Sequence, residues 1–419
     1  MVLQETTHIT KEVALGSFAS NGRQNGIAAE PVADETPLVD RDLLRRDIQC
    51  HMEKIGLNGT HPDRVLAKDA IRYTHRLHRY AAQDRVRRAL GNKVERFLEE
   101  VADGDDVEPE AIRPELVEAR AGTPTGDLFR FATLLWSIPV SQGYGRRLRY
   151  LVKDQANGKL IGLFALGDPV FNLRVRDEWV GWNQANRRER LVNVMDGYVV
   201  GAVPPYADLL GGKLVTSLIS SQEVAHAFEA RYSNSTGKIS GQRKRARLAL
   251  VTITSALGRS SVYNRLKLME RKHGPRDAPV VELRRLGETT GYGHFQITDD
   301  LFLQLRQVLQ EDGHSYADGH QFGDGPNWRI RVVRAGLEAI GLASDKILRH
   351  GIKREVYVMP IARNARRFLA GEDAELDFDN RSVEELAALA RERWVIPRAT
   401  RKPEYRQFRR GELLDKLLR

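Results

Sequence analysis

Three stretches of this 419-residue chain carry residue types that could do chemistry. In the first, Leu210, Gly211, Gly212 and Lys213 set bare backbone amides and one cation where a helix is expected to begin. Amides at a helix N-terminus beside a lysine suit a phosphate, so the stretch reads as an anion or cofactor-phosphate cradle. Glycine there costs helix stability, about 1 kcal/mol each, and the competing reading is close packing of helix against strand. The glycine spacing fits neither a P-loop nor a dinucleotide fingerprint. In the second, Arg259, Ser260, Tyr263 and Asn264 follow the apolar run Leu248–Ser255, at a strand end where open α/β sheets hold ligands. Tyr263 offers a general acid with Asn264 beside it, Arg259 a cation, and Ser260 a phosphate ligand or nucleophile. Capping and packing explain the same residues equally well. In the third, Glu288 and His294 lie in a glycine-rich loop and could pair as acid and base, or simply shape a hairpin.

A second class of candidates is cationic. Lys and Arg number 66 against 56 Asp and Glu, a net charge of +10. Arginine favours planar contacts to phosphate, so DNA or another nucleic acid is the expected partner. Arg243, Lys244, Arg245, Arg329 and the tail arginines Arg406, Arg409 and Arg410 are the expected phosphate contacts. Trp179, Trp182 and Trp328 beside arginines could stack on bases, although buried tryptophan serves a core as well. No metal site is expected. Cys50 is the single cysteine, His75 and His78 lack a third ligand, and Asp168, Asp177 and Glu178 lack the lysine spacing of a two-metal nuclease. The acidic stretch Ala102–Pro109 lacks calcium-loop spacing and reads as a solvated loop.

The elements that must position these residues follow from periodicity. Residues 1–40 are polar and aperiodic, a disordered leader. Residues 41–128 read as a helical region, with a helix near Leu43–Ile48. From Pro62, Leu66, Ala70, Tyr73, Leu77 and Tyr80 form one apolar face, and His75 and His78 fall on a solvated basic face. Residues 129–300 read as an α/β core. Strands at Leu148–Lys153 and Lys159–Leu166 flank the turn Asn157-Gly158, and Val170–Arg176 is expected to be extended. A helix capped by Asn183 should run to Met195 and stop at Gly197. The strand Tyr198–Val203 ends at Pro204-Pro205, since proline cannot join a ladder. Asp208 should cap a helix running to about Tyr232. The strand Leu248–Ser255 and a short helix at Ser261–Leu266 follow, then a glycine-rich hairpin or bulged loop within Leu286–Thr298. Residues 301–419 read as mainly helical, with one strand at Arg354–Met359 and a basic tail. No transmembrane run or signal peptide is visible, and one cysteine suits a reducing cytoplasm.

The succession of three strands, helix, strand, glycine-led helix, strand and short helix resembles the core of the GCN5-related acyltransferase fold. In that fold the fourth strand splays from the fifth, and the helix after the fourth takes the pyrophosphate of coenzyme A. The resemblance makes Val199–Val203 the fourth strand, Leu210–Lys213 the phosphate loop and Leu248–Ser255 the fifth strand. It sets Tyr263 and Asn264 near the acyl group and makes a coenzyme A thioester the candidate cofactor.

Longer motifs resemble the Druantia anti-phage system protein DruA family. They are Ser-Gln-Gly-Tyr-Gly-Arg-Arg-Leu-Arg-Tyr (141–150), Lys-Leu-Ile-Gly-Leu (159–163), Arg-Asp-Glu-Trp-Val-Gly-Trp (176–182), Gly-Ala-Val-Pro-Pro-Tyr (201–206), Leu-Leu-Gly-Gly-Lys-Leu (209–214) and Gly-Arg-Ser-Ser-Val-Tyr-Asn-Arg (258–265). Gly-Pro-Asn-Trp-Arg (325–329), His-Gly-Ile-Lys-Arg-Glu-Val-Tyr (350–357) and Glu-Arg-Trp-Val-Ile-Pro-Arg (392–398) extend the likeness. It implies a component of a bacterial defence locus acting beside a large helicase-like partner. The expected fold class is therefore α+β, a mixed α/β protein with an acyltransferase-like sheet between helical regions. Two functions stay open. One is an acyltransferase-like enzyme acting on or near nucleic acid. The other is a non-catalytic DNA-binding or assembly subunit, or a mobile-element-associated DNA-binding protein.

Overall fold

The computed structural model describes residues 37–57, 68–141, 145–236, 241, 243–270, 279–319 and 326–413. Most of the expected leader at 1–40 lies outside these residues. From Val39 onward the chain forms one compact unit. Its centre is a mixed sheet of seven strands: β1 (Pro114–Glu118), β2 (Arg147–Asp154), β3 (Leu160–Gly167), β4 (Val194–Ala202), β5 (Leu250–Thr254), β6 (Arg284–Glu288) and β7 (Glu355–Pro360). They lie in the order β1-β2-β3-β4-β5-β7-β6. Every neighbouring pair is antiparallel except β4 and β5, which run parallel. The sheet thus draws β1 from the expected N-terminal helical region and β7 from the C-terminal one.

The β2–β3 hairpin forms where Asn157-Gly158 predicts it. Gly158 takes φ +73°, and the Asn157 side chain accepts from the Lys159 amide at 2.9 Å. β3 is buried along its whole length, as a strand covered on both faces must be.

The helices that matter below are α1 (Arg41–Lys54), α2 (Arg76–Leu90), α3 (Pro124–Thr133), α4 (Arg174–Val180), α5 (Gly211–Leu218), α6 (Gln222–Tyr232), α7 (Asp299–Glu311), α8 (Pro326–Ala339) and α9 (Val383–Ala390). Leu214, Leu218, Phe228, Leu386 and Trp394 pack on one face of the sheet with Phe164 and Met195. Phe97, Phe131 and Leu128 cover the other face over Leu151, Leu163 and Ala165. α1, α7 and α8 share a separate core of Leu44, Ile48, Leu305, Val333 and Leu337.

Several local expectations are corrected. Val170–Arg176 is not extended throughout, because α4 begins at Arg174 and folds Arg176 inward against Asp177. Asn183 does cap a helix, but that helix is Gln184–Arg190, and Gly197 lies inside β4 opposite Ile253. The β-branched run after Arg190 gains more from the ladder than from the helix. α5 has Leu210 at its N-cap with no side-chain cap bond, so Asp208 does not cap it. The long helix to Tyr232 is two, because Ser221 caps α6 separately. Residues 261–265 form turns rather than a helix. Within Leu286–Thr298 the hairpin alternative fails, since β6 pairs with β7 as an edge strand, while the ladder is bulged between Arg285 and Gly287. Near Ile71 the expected faces are reversed: Tyr73 and Tyr80 are 48% and 51% exposed, while Ile71, Thr74 and His75 are buried.

Candidate functional site

β4 and β5 are neighbours, but not through the expected strand Tyr198–Val203: the residues that pair with β5 lie where the helix from Asn183 and its stop were expected. Their ladder runs from Val194–Leu250 to Gly197–Ile253. Beyond Gly197, β4 continues to Ala202 paired with β3 alone. The two parallel strands therefore part at their C-terminal ends, and the segment after β5 fills the opening. Tyr263 donates its hydroxyl to the Val200 carbonyl at 3.2 Å, with its ring edge-on to Tyr357 at 5.7 Å. Burial holds its phenol well above the usual tyrosine range, so it stays protonated as a donor. Ser260 accepts from the Val262 and Tyr263 amides at 3.2 and 3.3 Å, which fixes the turn that aims Tyr263 inward.

The glycine-led helix meets this turn. A Cβ on Gly212 would stand 3.2 Å from Val262 Cγ2, and one on Gly211 would stand 2.6 Å from the Tyr206 carbonyl oxygen. Both glycines are buried. Lys213 donates to the Asn264 carbonyl at 3.3 Å and lies over the Trp394 ring at 5.5 Å. Burial first, then Arg393, lowers its pKa. The structure thus brings Leu210, Gly211, Gly212, Lys213, Ser260, Tyr263 and Asn264 together, with Val262 packed against Gly212.

The outer side of that turn is cationic. Arg259 and Arg265 are exposed on either flank of it, and Arg393 is exposed beside Trp394. Among the described residues no carboxylate pairs with any of the three. Leu210 and Arg265, both at φ +60°, are the non-glycine residues with positive φ among the described ones. Such backbone costs on the order of 1–3 kcal/mol and gathers at functional sites.

The other expected site residues lie elsewhere. Glu288 pairs with Arg285 at 3.3 Å on the edge strand. His294 is largely buried beside Arg329, and burial pushes its pKa down to about 4. Arg329 pairs with Asp299 at 2.9 Å and lies over Phe302. Arg243 and Lys244 form a short strand against Ser235–Thr236, and Arg245 is exposed. The tail arginines are engaged with the acidic stretch. Arg409 meets Asp105 at 2.8 Å, Arg410 meets Glu99 at 2.9 Å, and Arg406 meets Glu108 at 3.5 Å. That stretch is therefore docked rather than simply solvated.

Sequence reasoning missed Asp196. Burial raises its pKa, Thr252 donates to it at 2.6 Å, and Arg176 attracts it. An acid between Met195 and Gly197 in an apolar run was the available signal. It also missed the histidines. His75 stacks on Phe295 at 4.5 Å and His350 meets the same ring at 4.6 Å, with pKa values lowered to about 4 and about 3, mainly by burial.

Comparison with known proteins gives this geometry a context. Residues 65–371 match the family model described as Druantia protein DruA. The chain is also similar to the Druantia protein DruA of Escherichia coli (strain UMEA 4076-1), with 43% identity over 377 residues, covering 89% of this chain and 91% of that one. No solved structure matches. No helix among the described residues is long and apolar enough to cross a membrane.

Proposed function

The chain belongs to the Druantia DruA family, a component of the Druantia anti-phage defence system, and from that premise we propose that it serves there as a nucleic-acid-contacting subunit rather than as an acyl-transferring enzyme. The observation that carries this reading is the filled opening between β4 and β5. Where an acyltransferase-like core would hold a coenzyme A thioester, Tyr263 bonds to Val200 and Val262 covers Gly212. What the turn offers outward is charge at Arg259 and Arg265, with Arg393 from the neighbouring segment, that no carboxylate among the described residues pairs with. Such a surface binds a phosphate backbone with little base preference and with steep salt dependence. In the defence system it would hold nucleic acid beside a helicase-like partner.

The positive φ at Leu210 and Arg265 favours a second reading, in which the 258–266 turn swings out and admits a cofactor. One experiment separates the two. Coenzyme A and acetyl-coenzyme A are titrated calorimetrically into the full chain, and labelled duplex DNA is titrated between about 50 and 200 mM salt. DNA binding that weakens steeply with salt, with no heat from either thioester probe, is the expected result. Saturable coenzyme A binding without DNA binding would overturn it.

A further inference from the structure

We propose that the depression beside α4 binds one guanine base, either from an unpaired stretch of nucleic acid or from a free nucleotide. Its volume is about 530 Å³, and Asn172, Arg174, Asp177, Glu178, Trp182 and Arg187 line it. Asp177, Glu178 and Trp182 belong to the stretch whose sequence drew notice at 176–182, and nothing in the β4–β5 site uses these lining residues.

The walls are rigid. Arg176 is fully buried and donates to the Val170 and Phe171 carbonyls at 2.8 and 2.9 Å and to Asp177 at 2.9 Å. Asp177 in turn accepts from Trp182 Nε1 at 3.2 Å, from Arg187 at 3.1 Å and from the Leu173 amide at 3.2 Å. This network holds Val170 and Phe171 in water, 44% and 42% exposed. The loop is thereby fixed beside the depression with two apolar side chains in water.

The chemistry of the lining selects the ligand. The Arg187 guanidinium lies over the Phe171 ring at 4.6 Å, and its Nε is buried without a hydrogen-bond acceptor. A backed, planar guanidinium is a platform on which a base stacks. Two arginines and two carboxylates line the depression, so their charges cancel and an anion is not the group it favours. Asp177 is engaged, whereas Glu178 is exposed and pairs only loosely with Arg174, at 3.7 Å. A carboxylate beside a guanidinium offers acceptor, acceptor and donor. Guanine shows the matching sequence on its Watson–Crick edge, the N2 amino and N1–H donors followed by the O6 acceptor. Adenine, cytosine and uracil each present one donor beside an acceptor there, so each can make two of these bonds where guanine makes three.

This inference shares with the proposed function only the class of ligand, and the test keeps the two apart. Guanosine, adenosine, cytidine and uridine are titrated calorimetrically into the full chain. Short single-stranded oligothymidylates with and without one guanine are followed by fluorescence polarisation. Guanosine should bind about tenfold tighter than the other nucleosides, the discrimination of a bidentate contact. Glu178→Gln should erase that preference, and Phe171→Ala should weaken all four nucleosides by about tenfold by removing the ring that backs the Arg187 guanidinium, while Phe171→Tyr restores binding. Guanosine binding without any oligonucleotide binding supports the pocket and assigns it to a free nucleotide, while the duplex DNA titration decides the nucleic-acid reading above independently. Equal affinity for all four nucleosides, a preference that survives Glu178→Gln, or capture of a protein partner through Phe171 with no nucleoside binding would each overturn the guanine assignment.

Discussion

Two basic regions that look alike in the sequence differ in what their charges do. In the tail, Arg406, Arg409 and Arg410 face Glu108, Asp105, Glu99, Asp103 and Asp106 across a contact of about 300 residues' separation. Tyr405 is buried beneath them, and the Gly104 amide donates to Phe408 O at 2.8 Å. On the turn above α5, Arg259 and Arg265, with Arg393 in the segment that carries Trp394, have no such acidic partner among the described residues. A positive residue count therefore overstates the charge available to a polyanion, because ion pairing within the chain neutralises part of it. What distinguishes the regions is which acidic residues the fold brings near.

The largest effect should come from reversing the turn. Arg259→Glu, Arg265→Glu and Arg393→Glu together should weaken duplex DNA binding on the order of a thousandfold at low salt and lower the salt slope by about 3. Melting temperature should hardly change, because these side chains are exposed. The matched reversal of Arg406, Arg409 and Arg410 should do the opposite, lowering melting temperature while DNA affinity stays within a few fold. Polarisation titrations and thermal melts on both triple variants measure this directly. Exchanged outcomes would mean that the tail leaves its acidic partner to bind DNA.

Gly104→Val tests the docking itself. Any Cβ at Gly104 would collide with the Tyr405 carbonyl and the Arg406 backbone, and backbone cannot step aside as a flexible side chain can. The tail should come away with Tyr405, Phe408 and Leu413, at a cost of roughly 3 kcal/mol or more. Limited proteolysis should then cut after Arg401. A tail that remains protected in this variant would show that the ion pairs, and not the close backbone approach, hold it.

How much of this was legible follows from the range of the interactions. The β2–β3 hairpin was, because Asn157-Gly158 encodes its turn locally. That Tyr198–Val203 and Leu248–Ser255 belong to one sheet was, because both runs are β-branched, but the residues that pair the two strands, Val194–Gly197, were hidden under a helical pattern. The acidic loop and the basic tail were each visible, but their pairing joins positions far apart and has no local signature. The buried state of His75 was hidden for the same reason: its spacing suits a solvated face, and only docking against Phe295 and His350 reverses it. The candidate site was legible in its residues but not in its occupancy. Ser260, Tyr263 and Asn264 were legible as candidates, yet no pattern foretold that Tyr263 would turn inward and close the opening.

Those histidines give a pH test that sharpens the comparison. His75 and His294 have pKa values lowered to about 4 and His350 to about 3, each mainly through burial. The unfolded chain binds these protons near pH 6.5 while the folded chain does not. Stability is therefore fully present above about pH 6.5 and is lost as pH falls toward 4, on the order of 3 kcal/mol per histidine. Because the folded histidines stay neutral, neither basic region gains charge in this window. DNA affinity should be flat between about pH 7.5 and 6 while melting temperature begins to fall below about 6.5. Affinity that climbs as pH drops through 6.5 would instead assign a protonating histidine to the binding surface.

The smallest expected effect is at Lys213. Its hydrogen bond to Asn264 O is long, at 3.3 Å, and its contact with Trp394 is a cation over a ring at 5.5 Å. Together these are worth about 1 kcal/mol, offset by the desolvation that lowers its pKa. Lys213→Ala should then shift melting temperature by only about 1 °C at this chain size, and change DNA affinity less than twofold. Its partner variant, Gly212→Val, should be the less stable of the two, because the methyls would press on Val262. If Gly212 and Lys213 instead cradle a phosphate, the order inverts: Lys213→Ala would lower affinity for a phosphate-bearing ligand about tenfold or more at unchanged stability. Reading melts and ligand titrations on the same two proteins decides between a helix packed under its turn and a helix waiting for an anion.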